Sequence, residues 1–248
     1  TVMEQAGEKG VKVAVIISAG FREVGPEGAE LERRVGEIAS RYGVRVLGPN
    51  CMGMMNTHHC MNGTFTNIQP VSGSVAIASQ SGAVCSSLLD WSTATGVGFS
   101  TFISVGNKVD VDEADLLEYL KDDPNTNVIG MYVEGANRGR ELVRQAREAS
   151  KKKPLIILKS GRTSSGSKAA SSHTGALSGS DSVYSAAMAE AGVLRVKTLD
   201  EFFDLLQAFA SMPLPRAISP CTRARSFFRR AISLSMSTNS PSGMNTAQ

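Results

Sequence analysis

Short apolar runs and helical stretches alternate along this chain with a regularity that few architectures accommodate. "VKVAVIIS" at residues 11 to 18 is a continuous, β-branched run, which predicts a strand buried on both faces. It leads through "AGF" into "EGAELERRVGEIASRYG", where Leu31, Val35, Ile38 and Ala39 recur at helical spacing before Gly43 stops the helix. "VRVLGPN" (44 to 50) predicts a second strand running into a turn. Strand, helix, strand predicts a parallel βαβ unit with a right-handed crossover. Ligands of such a unit gather at the carboxyl ends of its strands, here Ser18, Ala19, Gly20 and Phe21 after the first, and Gly48 to Gly53, with Asn50 and Cys51, after the second.

From Met54 to Gly73 the chain carries Asn, Thr and Gly without periodicity, and a domain junction is expected there. The pattern then restarts. "SVAIAS", "GFSTFISV", "NVIGMYVE", "PLIILKSG" and "VLRV" read as strands, separated by the helical stretches "AVCSSLLDWSTATG", "DEADLLEYLKDD", "GRELVRQAREASKK" and "DSVYSAAMAEAG" and followed by "LDEFFDLLQAFAS". The alternation predicts an α/β fold whose second unit is doubly wound, with helices on both faces of a mainly parallel sheet.

Composition narrows the function classes. With 248 residues, 42% hydrophobic and 20% charged, the chain suits one or two globular domains. A net charge of +3 with no basic stretch interleaved with aromatics argues against a nucleic-acid partner. No apolar run approaches the ~20 residues needed to span a bilayer, so no membrane is expected. Cys51, Cys60, Cys85 and Cys221 form no CxxC or other metal spacing, which predicts free thiols in a reducing compartment, the cytoplasm by default. The first residues read as the end of a helix, so a fragment is expected.

Three stretches carry chemistry. "SQSGA" joins a strand directly to a helix, and Ser79 and Ser81 with Gly82 leave backbone N–H groups at the positive helix end as a seat for phosphate, although Ser81 also suits a plain helix cap. Glu134 ends "NVIGMYVE" before Gly135 and is expected at the same sheet edge, where a carboxylate can accept an imidazole N–H and raise the basicity of the other ring nitrogen. "AASSHTGALSGSD" sets His173 among residues small enough for close approach of a ligand. Paired with Glu134, His173 is a nucleophilic imidazole with an orienting partner; alone, each residue also suits a role in local hydrogen bonding.

"GPNCMG", "SQSGA", "GNKVDVDEADLLEYL" and above all "KSGRTSSGSKAASSHTGALSGSD" resemble the NDP-forming acyl-CoA synthetases, the group of ADP-forming acetyl-CoA synthetase and, more distantly, succinyl-CoA synthetase. The likeness runs over residues 1 to about 212. It implies the α-type portion: the C-terminal part of a Rossmann-like CoA-binding domain at residues 1–70, then a flavodoxin-like ligase domain at residues 71–212. By this resemblance His173 is the phosphorylated residue and Glu134 steadies it. Ser79, Gln80, Ser81, Gly82 and Gly175 bind phosphate, and Ser18, Ala19, Gly20, Phe21, Asn50 and Cys51 lie along the CoA site. The implied cofactors are CoA, inorganic phosphate, and ADP or ATP with Mg²⁺ held by an ATP-grasp β-type subunit or domain. A small carboxylic acid or its acyl-CoA is the substrate, and the intact parent is expected to be an oligomer.

Two departures from the family pattern set further expectations. The opening strands and glycine-containing loop of the family's CoA domain have no match here, so weak CoA binding is expected. After "ASMPLP" the chain becomes rich in Ser and Arg without a repeating pattern, and residues 213–248 are expected to be disordered or non-native, although "RSFFRRAISL" suits a short basic amphipathic helix. A metal site is not expected. "DVDEAD" (110 to 115) begins like a Ca²⁺ loop, but Asp115 stands where Gly is needed and Lys121 where Glu is needed, so its carboxylates are read as starting a helix. In "HHC" (58 to 60), neighbouring side chains on an extended segment point opposite ways. Cys51 is read as a packing residue, not as a reactive thiol. The alternative functions are a non-catalytic ligand-sensing module of a protein acetyltransferase fusion, which can lack the histidine, and an inactive fragment.

Overall fold

A computed structural model describes residues 1–161 and 181–212; His173, Gly175 and the whole 213–248 segment lie outside the described residues. The predicted alternation is present. Helix α1 (Val2–Glu8) precedes β1 (Val13–Val15), a single 3₁₀ turn (Arg22–Val24), α2 (Pro26–Tyr42) and β2 (Arg45–Leu47), and β1 and β2 pair in parallel as the predicted βαβ unit. Gly43 ends α2 in the left-handed conformation at φ 66°, which Gly adopts without steric cost.

Two expectations about this unit are corrected. The 11–18 run is not buried on both faces: Val13 is 58% exposed and Val11 and Ile17 are also exposed, because among the described residues β1 pairs with β2 alone. On α2, Leu31 is exposed while Glu32 is only 2% exposed. The helix turns Glu32 inward because donors wait there: the Arg22 N–H at 3.2 Å and Nε at 2.5 Å, and the Asn107 amide at 2.9 Å.

The second unit is a seven-stranded sheet. It contains β3 (Gly53–Asn56), β4 (Met61–Thr64), β5 (Ser72–Ser79), β6 (Phe99–Ser104), β7 (Val128–Val133), β8 (Leu155–Lys159) and β9 (Leu194–Val196), in the order β4-β3-β6-β5-β7-β8-β9. The stretch from Met54 to Gly73, read as an unpatterned junction, is therefore corrected. Its first half is a hairpin whose β3 runs antiparallel to both β4 and β6. An edge ribbon can be polar on its exposed side, so β4, exposed along most of its length, shows no alternation.

The five parallel strands carry the helices on both faces. Along β5, Val75 and Ile77 face α3 (Gly82–Thr95) and α7 (Leu199–Ser211), packing with Leu88, Leu89, Phe202 and Leu206. Ala76 and Ala78 face the other way, toward α4 (Glu113–Leu120) and α5 (Gly139–Lys152), with Leu117, Leu120, Leu142 and Ala146. This period-two division is what a strand buried on both faces requires. Helix α6 (Asp181–Glu190) adds Met188 to that second layer.

Helix α4 begins as its carboxylates suggest. Asp112 accepts N–H bonds from Ala114 (2.8 Å) and Asp115 (3.4 Å), and the Asp115 carboxylate accepts the Asp112 N–H at 3.1 Å. Arg138 grips Asp112 through Nε at 2.7 Å. Burial alone raises the Asp112 pKa, but Arg138 and the helix N–H groups outweigh it and hold the carboxyl below its ordinary value. Asp112→Ala should cost about 1–2 kcal/mol, the range of a lost N-cap, read as a lower thermal midpoint at neutral pH. A depressed folded pKa stabilises fully above the unfolded value of about 3.9 and is lost as pH falls through the folded value. The gap between parent and variant should therefore close in acid; a gap that persists unchanged there would remove the charge from this account.

Candidate active site

In strand order β6-β5-β7-β8-β9, the chain leaves β5 for one neighbour and returns to the other side, the flavodoxin-like switch. The crevice this opens lies at the carboxyl ends of β5 and β7. Ser79 ends β5 and Gln80 and Ser81 follow it, and Glu134 and Gly135 follow β7. Two of the three predicted stretches are thus brought together by topology, as sequence reading expected. The third, which holds His173, lies outside the described residues, but both its flanks are placed. Lys159 ends β8, paired in register with Val133 beside Glu134, and Asp181 opens α6.

At the β5 end, the geometry corrects one detail. Ser81 is the N-cap of α3, its hydroxyl accepting the Val84 N–H at 3.4 Å, and its own N–H donates to the buried Ser79 Oγ at 3.1 Å. Ser81 therefore offers no N–H to a ligand. Among the described residues the N–H groups of Gly82 and Ala83 have no acceptor, and they sit in the first turn, where the helix dipole is positive. The N–H groups left open at this helix start therefore begin one residue further along than expected, because Ser79 reaches across to occupy the first donor.

Gln80 turns its side chain away from that seat. Its Oε1 accepts the N–H groups of Glu134 (2.8 Å) and Gly135 (3.1 Å), and its Nε2 donates to the Gly135 carbonyl at 2.8 Å and to the Glu113 carboxylate. Beneath this turn lies a buried ion pair that sequence reading missed, Lys108 Nζ with Glu113 Oε1 at 2.9 Å. Lys108 also donates to the Gly135 carbonyl at 2.5 Å. The signal was present in "GNKVDVDE", where a lysine and a glutamate stand five apart in a stretch otherwise read only for its likeness and for a rejected Ca²⁺ loop.

Cations also flank the histidine stretch. Lys159 is buried, donates to the Ser160 carbonyl at 2.6 Å, and lies 5.8 Å over the Tyr184 ring. Burial, and then the nearby Arg195, push its pKa below the ordinary lysine value. Arg195 on β9 grips Asp181 and Ser185 at the start of α6.

The residues expected along a CoA site fall in one neighbourhood. Ser18, Ala19 and Gly20 are exposed after β1, and the Asn50 N–H donates to the Ser18 carbonyl at 3.0 Å. The N–H groups of Gly20 (2.6 Å) and Phe21 (3.1 Å) are taken by the Glu23 carboxylate. Cys51 is buried, its thiol donating to the Ile16 carbonyl at 3.4 Å, and burial raises its pKa, as suits a packing role. The segment after β6 ties this neighbourhood to the large sheet, with the N–H groups of Asn107, Val109 and Val111 donating to Pro49, Gly48 and Val46 at 2.8, 3.0 and 3.1 Å. His58 bonds the Gly73 carbonyl at 2.9 Å, and among the described residues no group of three or more His, Cys, Asp and Glu side chains could hold a metal ion.

Comparison with known proteins places this geometry. The family model for the "Succinyl-CoA ligase like flavodoxin domain" matches residues 72–209. The alpha subunit of acetate–CoA ligase [ADP-forming] I from Pyrococcus furiosus is 49% identical over 215 residues, covering 87% of this chain and 46% of the relative. The 4-hydroxybutyrate–CoA ligase [ADP-forming] of Nitrosopumilus maritimus is 46% identical over 218 residues, covering 86% of this chain and 31% of the relative. A solved structure of Ca. Korarchaeum cryptofilum dinucleotide forming acetyl-coenzyme A synthetase 1, in complex with phosphate and ADP, matches with a TM-score of 0.83 at 42% identity over 87% of this chain and 47% of that one. The chain spans less than half the length of each of these three.

Proposed function

The chain belongs to the NDP-forming acyl-CoA synthetase family, as the α-type portion that carries the succinyl-CoA ligase like flavodoxin domain, and from that premise we propose that it interconverts acyl-CoA, ADP and phosphate with carboxylic acid, ATP and CoA through an acyl phosphate and a phosphohistidine at His173. The observation that carries this reading is the crevice between β5 and β7, where the N–H groups of Gly82 and Ala83, without an acceptor among the described residues, lie beside the turn that holds Glu134. Residues 1–70 are read as part of a CoA-binding domain and 71–212 as the ligase domain, with the 53–64 hairpin attached to the ligase sheet.

Phosphate oxygen attacks the thioester carbonyl carbon, the carbon–sulfur bond breaks, and its electron pair leaves on the CoA thiolate, which takes the proton lost by phosphate. An imidazole nitrogen of His173 then attacks phosphorus, and the phosphorus–oxygen bond breaks toward the departing carboxylate. The Gly82 and Ala83 N–H groups neutralise charge on the phosphoryl oxygens, and Glu134 accepts the second imidazole N–H as the ring becomes cationic. ADP finally takes the phosphoryl group from the histidine. The nucleotide and Mg²⁺ are assigned to an ATP-grasp partner; the existence of a partner subunit is supported by a relative being named an alpha subunit. We place the reaction in the cytoplasm: the described cysteines are free thiols, and no described helix is long and apolar enough to cross a membrane. The test is incubation with Mg-[γ-³²P]ATP and an ATP-grasp subunit from an alpha-subunit relative's organism. Acid-labile, base-stable label on this chain is expected, and its absence under conditions that label that relative's own alpha subunit would overturn the reading.

A further inference from the structure

A glutamine between a phosphate-binding strand end and its helix would ordinarily be taken as a phosphate ligand. The bonding here leaves it no capacity for that. A primary amide has two acceptor sites and two donors, and all four of Gln80's are used, by the N–H groups of Glu134 and Gly135, by the Gly135 carbonyl, and by Glu113. We propose that Gln80 is a positioning residue that holds the Glu134 turn in fixed register with the N-terminus of α3; this rests on the assignment of Glu134 and His173 made above.

The surroundings reinforce the assignment. Gln80 follows β5 directly, and its own N–H donates to the Tyr132 carbonyl at 3.2 Å, so its backbone is locked to β7 before its side chain closes the bridge. The Gly135 carbonyl is then held from a second direction by Lys108, whose charge is balanced by Glu113, the same carboxylate that takes a Gln80 proton. A buried ion pair of this kind adds little net stability compared with a well-packed apolar pair. Its retention under one peptide turn is explained by the geometry it imposes. Lys108 even adopts a left-handed backbone, φ 62°, a conformation that costs a residue with a Cβ some energy and clusters at functional sites. The result is a clamp that sets the distance between two groups serving the same phosphoryl transfer: the N–H groups of Gly82 and Ala83, which have no acceptor among the described residues and would face the phosphoryl oxygens, and the carboxylate of Glu134, which would face the imidazole.

The test uses acetyl [³²P]phosphate, which can donate its phosphoryl group to the histidine without a nucleotide partner. Gln80→Leu removes the bridge, and Gln80→Asn keeps the amide but is one methylene too short to span it. Both should lower the maximal labelling rate by about 10²-fold, the scale of an ångström-level misplacement, with the half-saturating acetyl phosphate concentration little changed. Rates are taken per folded molecule, measured by near-UV circular dichroism, so that partial unfolding is not mistaken for the effect. If Gln80 acts only through Glu134, the double variant Gln80→Asn with Glu134→Gln should label no more slowly than Glu134→Gln alone. Hydrogen exchange supplies a readout independent of activity: the Glu134 and Gly135 amides should be protected in the parent and exchange rapidly in Gln80→Asn. Losses that multiply in the double variant, parental labelling in Gln80→Asn, or unprotected amides in the parent would overturn the positioning role while leaving Glu134 standing. A Glu134→Gln chain that labels at the parental rate would instead overturn the assignment of Glu134, and this inference with it.

Discussion

A His173→Asn chain should acquire no base-stable phosphate under conditions in which the parent is labelled by Mg-ATP and an ATP-grasp partner. The asparagine nitrogen has its lone pair delocalised into the carbonyl and is not a nucleophile, so the loss should be complete to the detection limit. The expectation has a structural basis at the two flanks of the histidine stretch. Ser160 donates its N–H to the Val133 carbonyl at 3.0 Å, which starts the stretch one residue from Glu134. Asp181, at its other end, is anchored by Arg195 on the neighbouring strand. Label that persists in His173→Asn would assign the phosphoryl acceptor elsewhere.

Glu134→Gln should slow labelling by about 10²–10³-fold, the scale of one lost electrostatic partner to developing charge in a preorganised site. The amide keeps the size and an acceptor oxygen but cannot neutralise the imidazolium formed as phosphorus is attacked. Folding should be unaffected for a specific reason: Gln80 binds the backbone N–H groups of Glu134 and Gly135, leaving the clamp independent of the residue 134 side chain. Labelling kinetics with an unchanged thermal midpoint would meet the expectation. A chain that labels normally would make Glu134 a bystander, and one that loses stability in proportion to activity would make it a structural residue.

Most of the secondary structure was legible because its determinants lie within a few residues of one another. The β-branched runs of β5, β7 and β8, the apolar spacing of α4 and α7, the Gly43 stop and the Asp112 cap are all local. The hairpin of β3 and β4 was not legible. Its pairing depends on β6, some fifty residues away, and its exposed edge leaves no alternation to read. The same difference in range explains β1, whose composition reads as central and whose exposure is decided by how many strands lie beside it.

For the site, sequence alone determined which residue types were available and where strands would end: Ser79 to Gly82 at the end of β5, Glu134 after β7, and His173 in its small-residue stretch. Those assignments needed only periodicity, turn chemistry and motif likeness. Tertiary structure decided that β5 and β7 would be neighbours, and hence that residues 54 positions apart would share a crevice. It also decided that Ser81 would spend its N–H on Ser79, that Gln80 would serve the Glu134 turn instead of a ligand, and that Lys108 and Glu113 would be buried together beneath it. The physical reason is the same in each case: a hydrogen-bonding group has a fixed capacity, and which partner fills it depends on strand order, which no local pattern encodes.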